Sequence, residues 1–217
     1  MQVSPEGYFG YESQYSFADC RKDCGKAGTV DQYPEHYGNI NWSRHRPSRD
    51  LRGVVDLLKT LNLAKRRLLH IGVGGSYLAK ELAKRTGGID GITISHKETE
   101  LARSLKLPNY HVYYANKHYP DLVAIWKQGE YDYVIDNNLA SFVCCHKHFR
   151  TMMDNYYQLL KRGGELVTHF WGMDWVDGQC KVDSRWRLSI KDLHLLALEY
   201  DYQVISYPRS VYSLLKK

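Results

Sequence analysis

The residues best suited to chemistry in this chain are a glycine turn, a few polar residues that end apolar runs, and a scatter of histidines. Gly72-Val73-Gly74-Gly75-Ser76 follows the apolar run Leu68, Leu69, Ile71 and precedes a helical pattern. Glycines without a Cβ let a ligand approach the backbone, and free N–H groups at a helix start favour a negative group there. A nucleotide-like ligand is the expectation. Asp136 ends the later apolar run that begins at Tyr131, with Asn137 and Asn138 behind it. A carboxylate at a strand end is suited to holding an amine or accepting a proton. His146, His148 and His169 titrate in a useful range, and each also has an ordinary explanation at a helix start or strand end. Ser95-x-x-Glu98 reads as a capping box, so Glu98 has a structural role open to it beside a ligand-binding one. Cys20-x-x-x-Cys24 with His36 and His45, and Cys144, Cys145, His146 and His148, fit no common ligand spacing, and no metal is expected.

These residues must be positioned by alternating strands and helices. Leu51, Val54, Val55, Leu58 and Leu61 recur at helical spacing behind Ser48, which is able to cap the first turn. A strand around Leu68 to Ile71 follows, then the glycine turn, then a helix with Leu78, Ala79, Leu82 and Ala83 that Gly87 and Gly88 stop. A second strand ends at Ser95, a helix runs to about Leu105, and Tyr110 to Ala115 form a third strand before Asn116. Tyr131 to Ile135 make a fourth strand; a long helix carries Phe149, Met152, Met153, Tyr156, Leu159 and Leu160; a fifth strand follows Gly163 and Gly164. Ser189-x-x-Asp192 caps a helix, and strands Gln203 to Tyr207 and Val211 to Leu215 close the chain as a hairpin around Pro208. The alternation predicts one α/β domain over residues 48–217, with a Rossmann-like doubly wound sheet of seven mostly parallel strands. Residues 1–47, rich in tyrosine, read as an irregular aromatic arm that packs as a lid, over a sheet end, or in a dimer contact.

His70-Ile71-Gly72-Val73-Gly74-Gly75-Ser76 resembles the first motif of the class I S-adenosylmethionine-dependent methyltransferases, with histidine at the family's acidic position and serine at its third glycine. Gly91-Ile92-Thr93-Ile94-Ser95 resembles the variant of small-molecule and lipid enzymes, including the cyclopropane fatty acid synthase-like group. Tyr131-Asp132-Tyr133-Val134-Ile135-Asp136 and Lys161-Arg162-Gly163-Gly164-Glu165 resemble the fourth strand and the entry to the fifth. The resemblance covers about Arg66 to the C-terminus. It implies S-adenosylmethionine over Gly72, Gly74 and Ser76, His70 near its amino group, Thr93 or Glu98 at the ribose and Asn116 at the adenine. It also implies that Asp136 faces the transferring methyl group, either holding the cofactor's amine or acting as base, with His146 and His169 as weaker catalytic candidates.

The fourth strand lacks both prolines of the motif used on bases and glutamine, so a small-molecule acceptor is favoured over nucleic acid. The aromatic stretch His169-Phe170-Trp171-Gly172-Met173-Asp174-Trp175 then lines the acceptor pocket or closes the core. Aminocarboxypropyl transfer and a non-catalytic binding or partner subunit stay open, as does the oligomeric state. A formal charge of +6 over 217 residues is modest for a nucleic-acid binder; its one concentration is Arg44, Arg46, Arg49 and Arg52 with Lys65, Arg66 and Arg67. Five cysteines without paired metal spacing suit reduced thiols, and no apolar run approaches a membrane span. A soluble, cytoplasmic protein is the expectation.

Overall fold

The computed structural model describes residues 44, 46–118, 122–139, 141, 146–173, 188 and 190–217. The arm expected over 1–47 and the cap expected from Ser189 fall almost wholly outside them.

The described chain runs α1 (Arg49–Thr60), β1 (Arg67–Ile71), α2 (Tyr77–Leu82), β2 (Gly88–Thr93), α3 (His96–Ser104), β3 (Tyr110–Tyr114) and α4 (Leu122–Ile125). It continues through β4 (Tyr131–Ile135), α5 (His146–Leu159), β5 (Leu160–His169), α6 (Phe170–Met173), α7 (Ile190–Glu199), β6 (Tyr202–Tyr207) and β7 (Val211–Lys216). The seven strands form one sheet in the order β3-β2-β1-β4-β5-β7-β6. Pairings from β3 through β5 are parallel, and β7 runs antiparallel to both β5 and β6. This is the expected seven-stranded, doubly wound sheet.

Strand side chains alternate between two cores. Leu69 and Ile71 of β1 join Phe149, Met152, Met153 and Tyr156 of α5 and Leu193 and Leu196 of α7 on one face. Leu68 joins Val54, Val55 and Leu58 of α1, Leu78 and Leu82 of α2 and Ala102 of α3 on the other. A period of two therefore requires helices on both faces of the sheet. The order reverses at β1 and β4, and in such sheets a crevice opens outside the carboxyl ends of the strands at that point. Among the described residues no helix is long and apolar enough to cross a membrane.

Three boundaries differ from the sequence reading. α2 is only six residues and tightens into a 3-10 turn, Ala83–Arg85, and β2 begins at Gly88. Gly87 is needed there because a Cβ would stand 2.7 Å from the backbone of Lys65. α5 ends at Leu159, and Leu160 already pairs with Tyr131; the chain then slips register before Glu165 meets Tyr133, with Gly163 at φ +74°. The two glycines thus serve an irregularity within β5 as well as the end of a helix.

Candidate functional site

β1 delivers the chain into a turn whose backbone is left-handed at Gly72 (φ +72°), Gly74 (φ +50°) and Ser76 (φ +58°). The first two are conformations that glycine adopts without steric cost. Serine at the third is the departure from an all-glycine motif, and its hydroxyl is fixed by a hydrogen bond from Tyr110 Oη at 3.0 Å. The Gly72 N–H donates to the Ile92 carbonyl at 2.8 Å, tying the turn to β2. A Cβ built on Gly72 would meet nothing within 4 Å, so the turn presents bare backbone to open space.

Glu98 closes this turn from α3. Ser95 caps the helix as expected, its Oγ accepting from the Glu98 N–H at 3.3 Å. The reciprocal half of the capping box is not made. The Ser95 N–H instead donates to Thr93 Oγ1 at 3.1 Å, and Glu98 Oε2 accepts from the Gly74 N–H at 2.8 Å and from Thr93 Oγ1 at 2.7 Å. Burial pushes the Glu98 pKa up, and the bonds from Thr93 and Gly74 partly oppose it. Thr93 and Glu98, two separate candidates in the sequence, are one hydrogen-bonded unit.

His70 lies on β1 just before the turn, wholly buried, with neither ring nitrogen partnered among the described residues. Burial lowers its pKa to about 4, so it is neutral and does not replace an acid's charge. At the end of β3 the Asn116 carbonyl oxygen accepts from the His118 N–H at 3.0 Å, while its buried amide nitrogen has no partner. The His118 donor fixes the amide orientation. What Asn116 offers a ligand is therefore first a donor, where its carbonyl was the expected reader.

Asp136 is at the carboxyl end of β4, as expected, but its oxygens are taken. Oδ2 accepts from Lys117 Nζ at 2.8 Å and from Tyr156 Oη at 2.8 Å, and Oδ1 from the Asn138 N–H at 3.2 Å. Lys117 also reaches the Asn138 and Leu139 carbonyls at 3.1 and 3.2 Å and Ser141 Oγ at 3.2 Å. Burial lowers the Lys117 pKa and Asp136 pulls it back up. Burial and the neighbouring carboxylate hold Tyr156 protonated as a donor. The pair is a buried clamp on the loop after β4.

His169 ends β5 beneath α1. Its Nδ1 accepts from the Trp171 N–H at 3.1 Å, which leaves the neutral ring's proton on Nε2. A Cβ on Gly53 would lie 3.1 Å from that Nε2, so glycine is what lets α1 sit this close. Burial lowers the His169 pKa, opposed by Asp50. Asp50, in the first turn of α1, accepts from the Asn137 amide, and the Arg49 guanidinium stacks 4.2 Å above the Trp171 ring. The side chain of His146, at the start of α5, and residues Asp174 and Trp175 lie outside the described ones. Among the described residues no cluster of metal ligands occurs.

The turn, Thr93 with Glu98, Asn116, Asp136 and His169 all follow the carboxyl ends of β1 to β5. Sequence reasoning missed Lys117, Tyr156 and Asp50. Lys117 directly follows Asn116 and carried that signal, whereas Tyr156 and Asp50 sit within helical patterns that read as packing and solvent face.

No protein-family model matches the chain, and no curated protein matches it. Solved structures do. The 1,6-didemethyltoxoflavin-N1-methyltransferase of Burkholderia thailandensis, solved with 1,6-didemethyltoxoflavin and S-adenosylhomocysteine, is 12% identical over 94% of this chain and 93% of that one, at TM-score 0.66. The N-methyltransferase NodS of Bradyrhizobium japonicum WM9 with S-adenosylhomocysteine is 14% identical over 87% of this chain and 98% of that one, at 0.61. The [4+2]-cyclase SpnF is 15% identical over 77% of this chain and 64% of that one, at 0.57. At such identities the likeness is one of fold, which SpnF, a [4+2]-cyclase by name, shares. With its seven strands in this order and a glycine turn after the first, the chain has the Rossmann-like fold of the class I S-adenosylmethionine-dependent methyltransferases.

Proposed function

We propose that the protein is an S-adenosylmethionine-dependent methyltransferase acting on a small molecule. The observation that carries this is the Glu98 bridge: a buried carboxylate ties Gly74 to Thr93 within a glycine turn whose Gly72 backbone faces open space. A cofactor with a vicinal diol suits a carboxylate at this turn, and the orphan amide nitrogen of Asn116 suits a ring-nitrogen acceptor. When bound, the cofactor supplies an electrophilic methyl on a sulfonium.

The chain's own contribution is then positional. The glycine turn offers backbone, Glu98 accepts hydroxyl protons, and α1 and α6 wall the acceptor side over β4 and β5. Asp136, neutralised by Lys117, holds the loop after β4 and is poorly set to take a proton. Neutral His169 accepts from the Trp171 N–H through Nδ1 and pairs with the Arg209 backbone through its other nitrogen, so it acts as a pin rather than a base. Acceptors that need no strong base during attack fit this arrangement. The cytoplasmic setting expected from the cysteine pattern belongs to the same reading.

A second reading, a cofactor-binding protein without methyl transfer, is favoured by His70, whose uncharged ring stands where the family has an acid. Incubation with methyl-labelled S-adenosylmethionine and either a small-molecule extract or total RNA and DNA separates the outcomes. Label is expected in the small-molecule fraction; label in polynucleotide, or none despite cofactor binding, contradicts the proposal.

A further inference from the structure

The basic cluster of the sequence is divided by the fold. Arg66 and Arg67, before and at the start of β1, are committed at the amino edge of the sheet: Arg66 to Asp132 at 2.8 Å, Arg67 to Asp90 and Glu130. Arg49 is on the opposite side, where α1 begins above the carboxyl ends of β4 and β5. It is exposed, it lies 4.2 Å over the Trp171 ring, and no carboxylate pairs with it among the described residues. Asp50 beside it is turned to the Asn137 amide.

A guanidinium over an aromatic ring meets it through charge and leaves N–H donors to grip a carboxylate or phosphate. The platform is half-exposed aromatic surface: Trp171 is 49% and Phe170 38% exposed. α6 is held in place because Gly172 packs against the Asn137 carbonyl so closely that a Cβ would overlap it. An apolar platform, a cation with no carboxylate partner among the described residues and a fixed backbone thus meet on the acceptor side.

We propose that the acceptor carries an anionic group, carboxylate or phosphate, beside a flat apolar body, with Arg49 on the anion and Trp171 against the body. The proposal rests on the methyl-transfer reading of this edge. It assigns Arg49 to substrate choice.

The test titrates the full chain, with and without S-adenosylhomocysteine, with 1-naphthoate and its neutral isostere 1-naphthamide. The acid is expected to bind roughly tenfold more tightly, the scale of one charge-assisted contact. Arg49→Gln should erase that preference and leave S-adenosylhomocysteine affinity unchanged; Trp171→Leu should weaken acid and amide alike. Equal affinity for the pair, binding of neither, or a preference that survives Arg49→Gln overturns the proposal in either state of the protein. Failure of S-adenosylhomocysteine to bind contradicts the cofactor reading instead, which keeps the two apart.

Discussion

Glu98 steadies the glycine turn, and the proposed function gives it a second role as acceptor for a ligand's hydroxyls. Both depend on its charge. Glu98→Gln retains size but offers a weaker acceptor, and S-adenosylhomocysteine affinity should fall roughly 10- to 100-fold by calorimetry, the scale of hydrogen bonds to a charged group. Wild-type affinity should decline as pH falls through the Glu98 pKa, which burial places above the ordinary glutamate value. The sign for stability is the opposite. A raised carboxyl pKa means that the folded chain holds the proton more readily than the unfolded one, so stability from this group falls as pH rises through that window. Glu98→Gln should flatten both slopes; an unaltered pH profile would remove Glu98 from the ligand. The sequence showed Thr93 and Glu98 as separate candidates because side-chain direction is not written in spacing. Ser95-x-x-Glu98 promised a reciprocal cap, and the carboxylate took the stronger pairing across the turn.

At the scale of elements, two contacts decide how firmly the site is held. The first is β2 against the glycine turn: a Cβ on Gly91 would stand 2.5 Å from Val73 Cγ1 and 3.2 Å from Val112 Cγ2. Gly91→Ala should cost about 1–3 kcal/mol in chemical denaturation and weaken cofactor binding by displacing Val73. Val73→Ala in the same chain should recover part of both; no recovery would show that the strain is taken up elsewhere. The second is the clamp on the β4–α5 loop. Removing one partner strands a buried charge, so Lys117→Met should cost about 3–5 kcal/mol, while Lys117→Met with Asp136→Asn should cost less than the sum of the singles. Additive losses would mean that the pair is not coupled. The seven strands and the longer helices were legible from periodicity, whereas α6 fell in a stretch that read only as aromatic. Boundaries were not, because the end of α5 and the start of β5 depend on a register slip that only the neighbouring strand imposes.

For the molecule as a whole, a doubly wound sheet was legible because seven apolar runs, separated by helical patterns and closed by a hairpin, leave few ways to cover both faces of one sheet; the order of the strands came from the structure. The distribution of charge was not. Arg49 and Arg66 are close in sequence, and the fold sends them to opposite edges, one over Trp171 and one into pairing with Asp132. The central claim is that the carboxyl edge of β1, β2 and β3 takes S-adenosylmethionine. Calorimetric titration of the full chain with S-adenosylhomocysteine tests it most directly, with Gly72→Val as the comparison. Gly72→Val has open room at its Cβ, but valine is strained at φ +72° and would intrude on the bare backbone. The account predicts saturable one-to-one binding in the micromolar range for the wild type and its loss in Gly72→Val while the fold persists by circular dichroism. No heat of binding at high micromolar concentration, or equal binding by a folded Gly72→Val chain, would contradict it.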